Sequence, residues 1–119
     1  MAWHTTNNDV DNISDFEDEL YKKISKPKEI DSRYGSTYFN HIFSGGYSSS
    51  YYSYMWSEVL DSSAFEVFEK NGIYDKDSGK KLREFVYSSG NSKDLMEQFI
   101  KFNGKEPDPQ RLLEKRGLA

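Results

Sequence analysis

A helical period runs through residues 48–70, and a glycine signal fences it at each end. Tyr52, Met55, Trp56, Val59, Leu60, Phe65 and Phe68 recur roughly at i, i+3, i+4, i+7. That spacing gathers apolar side chains on one face of an α-helix. Ser44-Gly45-Gly46 precedes it, where consecutive glycines disfavour helix and allow positive φ. Asn71-Gly72 follows as a C-terminal stop. Ser62-Ser63 is where a bend is expected. In a chain of 119 residues, one domain or less, a helix this long sets the architecture.

The flanking segments are short and also read as helical. Residues 1–12 are polar without a period, a loop or a strand-like lead-in. Ser14 and Glu17 have capping-box spacing ahead of Phe16, Leu20 and Ile24, which recur every four residues. Acids crowd the first turn of that segment and Lys22 and Lys23 its last, matching the helix dipole. Lys26-Pro27 ends it. A short helix is expected over 37–43, a third from about Ser78 to Tyr87, and one over 93–102 capped by Ser92. The face expected on the last of these is Leu95, Phe99 and Ile100. Asp108-Pro109 has the cap-then-proline order that starts a final helix through about Lys115. Alternating strand patterns are scarce, so the expected class is all-α.

Composition narrows the function. The net charge is −4, and no Lys/Arg cluster interleaves with the aromatics, which argues against a nucleic-acid surface. No apolar run approaches the roughly 20 residues that span a bilayer, and no secretory signal is visible. With no cysteine, disulfides and thiolate metal sites are excluded, and a cytoplasmic location is permitted. The two histidines, His4 and His41, belong to no metal-ligand spacing, so no metal is expected on this chain. Asp75 to Gly79 lacks the complete calcium-loop pattern and reads as a helix cap. Glu58 follows Trp56-Ser57 in an aromatic setting and is less plain than the other acids, with an ordinary helix-face salt bridge as the alternative.

What remains is the stretch His41 to Glu58. His41, Tyr47 and Tyr54 are spread across the Gly45-Gly46 hinge, an arrangement that suits a mobile loop closing over a ligand. Tyr51 and Tyr54 are expected to share one helix face. A phenol donates a hydrogen bond to a developing oxyanion while its ring lines an apolar cleft. On composition alone, plain packing of these rings is the favoured alternative.

Phe39-Asn40-His41-Ile42-Phe43-Ser44-Gly45-Gly46-Tyr47, then Tyr51-Tyr52-Ser53-Tyr54-Met55-Trp56-Ser57-Glu58, closely resembles the C-terminal region of the M3 family of zinc metallopeptidases. The peptidyl-dipeptidase branch is the best match. The likeness begins at Met1-Ala2-Trp3-His4, takes in Arg33-Tyr34, and continues through Asn71-Gly72-Ile73 and Ser89-Gly90-Asn91-Ser92. It then runs through Gly104-Lys105-Glu106-Pro107 to Arg116-Gly117-Leu118. The resemblance implies that residues 1–119 are a partial, helical catalytic domain. It implies zinc in the complete enzyme, held by two histidines of an H-E-x-x-H helix and a downstream glutamate, all upstream of the resembling segment. No H-E-x-x-H occurs here, so this chain is expected to bind no zinc and to be inactive alone.

By matching positions, the resemblance gives Tyr54 the oxyanion of the tetrahedral intermediate. It gives His41 a hydrogen bond to substrate near the scissile bond, and Tyr47 the substrate backbone or a share in stabilising that intermediate. Gly45 and Gly46 let the loop close; Arg33 and Tyr51 stand behind. The implied partners are short peptides in the complete enzyme, and an N-terminal peptidase fragment or a second copy for this chain. The rival reading is a stand-alone helical binding or assembly module derived from that peptidase.

Overall fold

Asn12, rather than Ser14, caps the first long helix of the chain. Its side chain accepts hydrogen bonds from the N–H groups of Ser14 and Asp15 at 3.0 and 3.3 Å, and α2 runs over Ile13–Lys23. Glu17, freed from a capping box, accepts instead from the Ser36 N–H at 2.6 Å. This is a computed structural model that describes residues 2–7 and 9–119. Met1 and Asn8, part of the expected polar lead-in, lie outside the described residues. That lead-in contains a short helix, α1, over Ala2–Thr5.

The chain divides into two compact units, Met1–Tyr52 and Ser53–Ala119. The first holds α1, α2 and a series of 3-10 turns at Ser36–Tyr38, Asn40–Ile42 and Gly45–Tyr47. The α-helix expected over 37–43 does not form. Phe39 at φ −92°, ψ 69° separates the first two turns, and Gly45 at φ +66° opens the third. No described side chain in this unit is buried; half-buried rings hold it together.

The second unit holds α3 (Ser53–Asn71), α4 (Lys76–Leu82) with one π-helical turn (Arg83–Tyr87), α5 (Leu95–Asn103) and α6 (Pro109–Lys115). Helix α3 starts later than its period suggests, because Ser49 takes φ +59°, a conformation outside the right-handed helix. It then runs unbroken through Ser62 and Ser63 and stops at Gly72, φ +109°. Asp75 caps α4 by accepting from the Ser78 N–H at 2.7 Å. Hydrogen bonds from the Ser78 hydroxyl and N–H hold the Asp75 carboxyl below its ordinary value of 3.8. Ser92 donates to the Ser89 carbonyl at 2.7 Å, so Asp94 caps α5 in its place. Asp108 caps α6, with Pro109 in the first turn. No strand occurs among the described residues, and the class is all-α.

Of its apolar stripe α3 buries only Val59. Val59, Ser62, Ser63 and Glu66 are the buried residues, at helical spacing, and α6, α5 and α4 lie against the helix. Small side chains let α6 approach closely. Ser63 is fully buried; its hydroxyl accepts from the Asp108 N–H at 2.9 Å and faces the Asp108 carbonyl at 3.4 Å. Val59, Phe99, Phe102 and Leu112 form the apolar centre, so α5 presents Phe99 and Phe102 inward while Leu95 faces out.

Glu66 is the charged counterpart of that seam. Its carboxylate lies 2.6 Å from Lys70 Nζ, 3.2 Å from Lys105 Nζ and 3.9 Å from Arg111 Nε. Arg111 also reaches Glu69 at 2.7 Å and Glu114 at 2.6 Å, so one guanidinium on α6 clamps two acids of α3. Glu58 pairs with Arg116, the plainer of the two readings of that acid.

Ser63→Ala should cost about 1 kcal/mol, because it removes the partner of the part-buried Asp108 N–H. Urea unfolding followed by circular dichroism measures it. Lys70, then Lys105, hold the Glu66 carboxyl below its ordinary value of 4.5 against the opposing pull of burial. A lowered folded value stabilises above the unfolded value and is lost as pH falls through the folded one. Wild-type stability should therefore fall below about pH 4.5 more steeply than that of Glu66→Gln. At neutral pH that variant should be about 1–2 kcal/mol weaker. Unfolding midpoints across pH check both statements.

Candidate functional site: an aromatic loop with a glycine turn

The turns of the first unit bring His41, Tyr47 and Tyr51 into a triangle. Ring centroids lie 5.4 Å apart for His41 and Tyr51, 5.8 Å for Tyr47 and Tyr51, and 6.1 Å for His41 and Tyr47. Residue spacing alone does not reveal this grouping. It needs the glycine turn, in which Gly45 carries the positive φ and Gly46 does not.

Phe39 is the hub that sequence reasoning missed. It stacks on Tyr34 at 4.9 Å, meets Tyr51 edge-on at 4.9 Å and lies 5.8 Å from His41. Edge-to-face and offset pairs at such distances contribute about 0.5–1.5 kcal/mol each beyond their burial. Arg33 sits over the Tyr34 ring at 5.3 Å, which attaches it to the same row of rings. Its link to the triangle runs through Tyr34 and Phe39.

Tyr54 stands in the second unit, on the first turn of α3, and is exposed. Tyr51 lies before α3 begins, so the expectation that it shares a helix face with Tyr54 fails. The positive φ at Ser49 and the Tyr47–Ser50 turn displace the helix start past Tyr51.

A second set of contacts holds the loop from behind. Trp3 Nε1 donates to the Ser36 hydroxyl at 2.6 Å, and His4 Nε2 lies 2.6 Å from the Ile42 carbonyl. A carbonyl only accepts, so His4 carries its proton on Nε2. Trp3 also packs on Phe16 at 4.3 Å and on Phe43 at 6.2 Å. These tethers span more than 30 residues of sequence, and no local pattern signals them.

Fold and loop together define an all-α chain that presents histidine and tyrosine side chains beside a glycine turn. The sequence model of Peptidase family M3 matches residues 1–118. Dipeptidyl carboxypeptidase of Escherichia coli is 36% identical over 99% of this chain and 18% of that relative. Oligopeptidase A of the same organism is 41% identical over 67% of this chain and 12% of its own length. Probable cytosolic oligopeptidase A of Arabidopsis thaliana is 43% identical over 67% of this chain and 12% of its own length. The chain belongs to Peptidase family M3. It spans less than a fifth of the length of these curated relatives.

The family is zinc-dependent in general. The sequence has no H-E-x-x-H, and His4 Nε2 is committed to the Ile42 carbonyl. Among the described residues no three His, Asp or Glu side chains converge to hold an ion. Among them, too, no helix is long and apolar enough to cross a membrane.

The two glycines should respond differently to alanine. Neither Cβ would meet a neighbour within 4 Å, so only conformation distinguishes them. Gly45→Ala should destabilise the loop by about 1 kcal/mol, and Gly46→Ala should be near neutral. Amide hydrogen exchange over residues 40–50 reads the difference.

Proposed function

We propose that this chain is a segment of a peptidyl-dipeptidase-like zinc metallopeptidase that supplies substrate-binding and transition-state groups. The observation that carries the reading is the His41–Tyr47–Tyr51 triangle beside the Gly45 turn, in a unit with no buried side chain among those described. Exposed polar-tipped rings held by other rings fit a surface that a peptide and the rest of an enzyme would cover.

In this reading Tyr54 donates its phenol proton to the oxyanion of the tetrahedral intermediate. His41 hydrogen-bonds the substrate near the scissile bond, and Tyr47 binds substrate backbone. Gly45 and Gly46 let the loop close over the peptide. Arg33 and Tyr51 act indirectly, Arg33 through Tyr34 and Tyr51 through its contacts with His41 and Tyr47. Residues 1–119 are then a partial catalytic domain. The chain has no general base or metal of its own and is silent in isolation. The substrates are short peptides, with C-terminal dipeptides released. A cytosolic relative and the cysteine-free sequence support a cytoplasmic setting.

A stand-alone binding or assembly module is the second reading. The second unit favours it, having its own apolar centre of Val59, Phe99, Phe102 and Leu112.

The test mixes this chain with a folded, zinc-loaded M3 polypeptide that carries H-E-x-x-H but lacks the matched segment. Each piece alone serves as control. Peptide hydrolysis only in the mixture is the expected result, and Tyr54→Phe should lower its rate about 10²–10³-fold. An inactive mixture would favour the stand-alone module. Chelator-sensitive hydrolysis by this chain alone would sink the proposal.

A further inference from the structure

Four lysines gather in one place on a chain whose net charge is −4. Lys70, Lys81, Lys101 and Lys105 line a hollow of about 310 Å³ in the second unit, beside Glu66 and Phe102. Lys70 stands in the last turn of α3, Lys81 in that of α4 and Lys101 in that of α5. Lys105 follows Gly104, whose φ of +82° ends α5. Three helix ends and a left-handed turn thus assemble cations that are scattered through the sequence.

The acids nearby do not neutralise this group. Glu66 takes up Lys70 at 2.6 Å and Lys105 at 3.2 Å, so one carboxylate serves two ammonium groups and holds both at the hollow. Among the described residues no acid lies within ion-pair distance of Lys81 or Lys101. Hydrogen bonds from Ser78 are the main cause that lowers the Asp75 carboxyl, and Lys81 adds to them only from further off. A lysine in a last turn is also what the helix dipole favours, and each helix end offers about half a negative charge. Three such ends together with Glu66 still leave roughly one to two positive charges over.

We propose that this hollow binds a compact, multivalent phosphate anion of the pyrophosphate or tripolyphosphate kind. Every residue that lines it belongs to the second unit, so the site stands apart from the aromatic loop. Its cations are all lysines. A lysine ammonium is a point charge that suits phosphate, whereas a planar carboxylate is matched by the arginine fork. Arg111, which would offer that fork, is turned to Glu69 and Glu114. Among the described lining residues Phe102 alone carries a ring, and it is only 5% exposed, so no open face is offered for a nucleobase to stack on. The volume lies at the small end of ordinary ligand sites, which fits a short phosphate chain.

Calorimetry on the full chain at fixed ionic strength measures tripolyphosphate binding, with orthophosphate, ATP and a polyglutamate peptide as comparison ligands. Lys81→Gln/Lys101→Gln removes the two lysines that pair with no acid and should weaken tripolyphosphate about tenfold or more. Lys22→Gln/Lys28→Gln makes the same change in net charge in the first unit and should bind like wild type. Thermal unfolding gives a second readout, because a ligand that binds the folded state raises its midpoint. Tripolyphosphate should raise the midpoint of wild type and of the first-unit variant, and much less that of the pocket variant. Circular dichroism checks helix content, and Lys101→Gln alone stands in if the double variant loses it. No binding by the wild-type chain overturns the proposal. So does equal weakening by both double variants, which would mean attraction to the lysines at large. Orthophosphate bound as tightly as tripolyphosphate would overturn the multivalent ligand, and ATP bound more tightly would overturn the absence of a base site. Polyglutamate bound more tightly would make an acidic peptide the occupant and overturn the phosphate. None of these outcomes bears on the role of the aromatic loop.

Discussion

Ser63 is where the second unit is held shut. A fully buried hydroxyl on α3 exchanges hydrogen bonds with the backbone of Asp108, the residue whose own side chain starts α6. Its small size brings the helices close, and its polarity satisfies a half-buried backbone N–H. With α6 in place, Arg111 reaches Glu66 and Glu69, and Leu112 joins Val59, Phe99 and Phe102. The seam is narrow and partly polar, so large side chains of α3 are left for other duties.

That division explains what the sequence made legible. Helix existence followed from local chemistry: Asn71-Gly72 stops α3, Asp75 caps α4 and Asp108-Pro109 starts α6. Which face α3 buries did not follow, because only Val59 of its apolar period is buried, together with Ser62, Ser63 and Glu66. Periodicity identifies a stripe without saying what covers it. Cap positions slipped where a serine had a competing partner, as Ser92 does in the Ser89 carbonyl.

The candidate site was legible in part for the same reason. His41, Tyr47 and Tyr51 stand out by residue type, and their grouping needed only a glycine turn close by in the chain. Phe39 was hidden because an apolar ring announces no chemistry; its importance lies in touching Tyr34, His41 and Tyr51 at once. The relation of Arg33 to the triangle is indirect, since its contact is with Tyr34. A family resemblance named residues by position, while the contacts that hold His41, Tyr47 and Tyr51 together lie in the rings.

The tethers from Trp3 and His4 also set an order of events. They close loops of 33 and 38 residues, whereas the helices of the second unit form largely from neighbours. Loop closure is an entropic cost met before any contact repays it, and here few buried groups are available to repay it. Helix α1 therefore gains Phe16 as a partner first, and its contacts with Ser36 and Ile42 only once the longer loops close. The long-range tethers of α1 settle after its contact with Phe16, a delay written into the loop lengths.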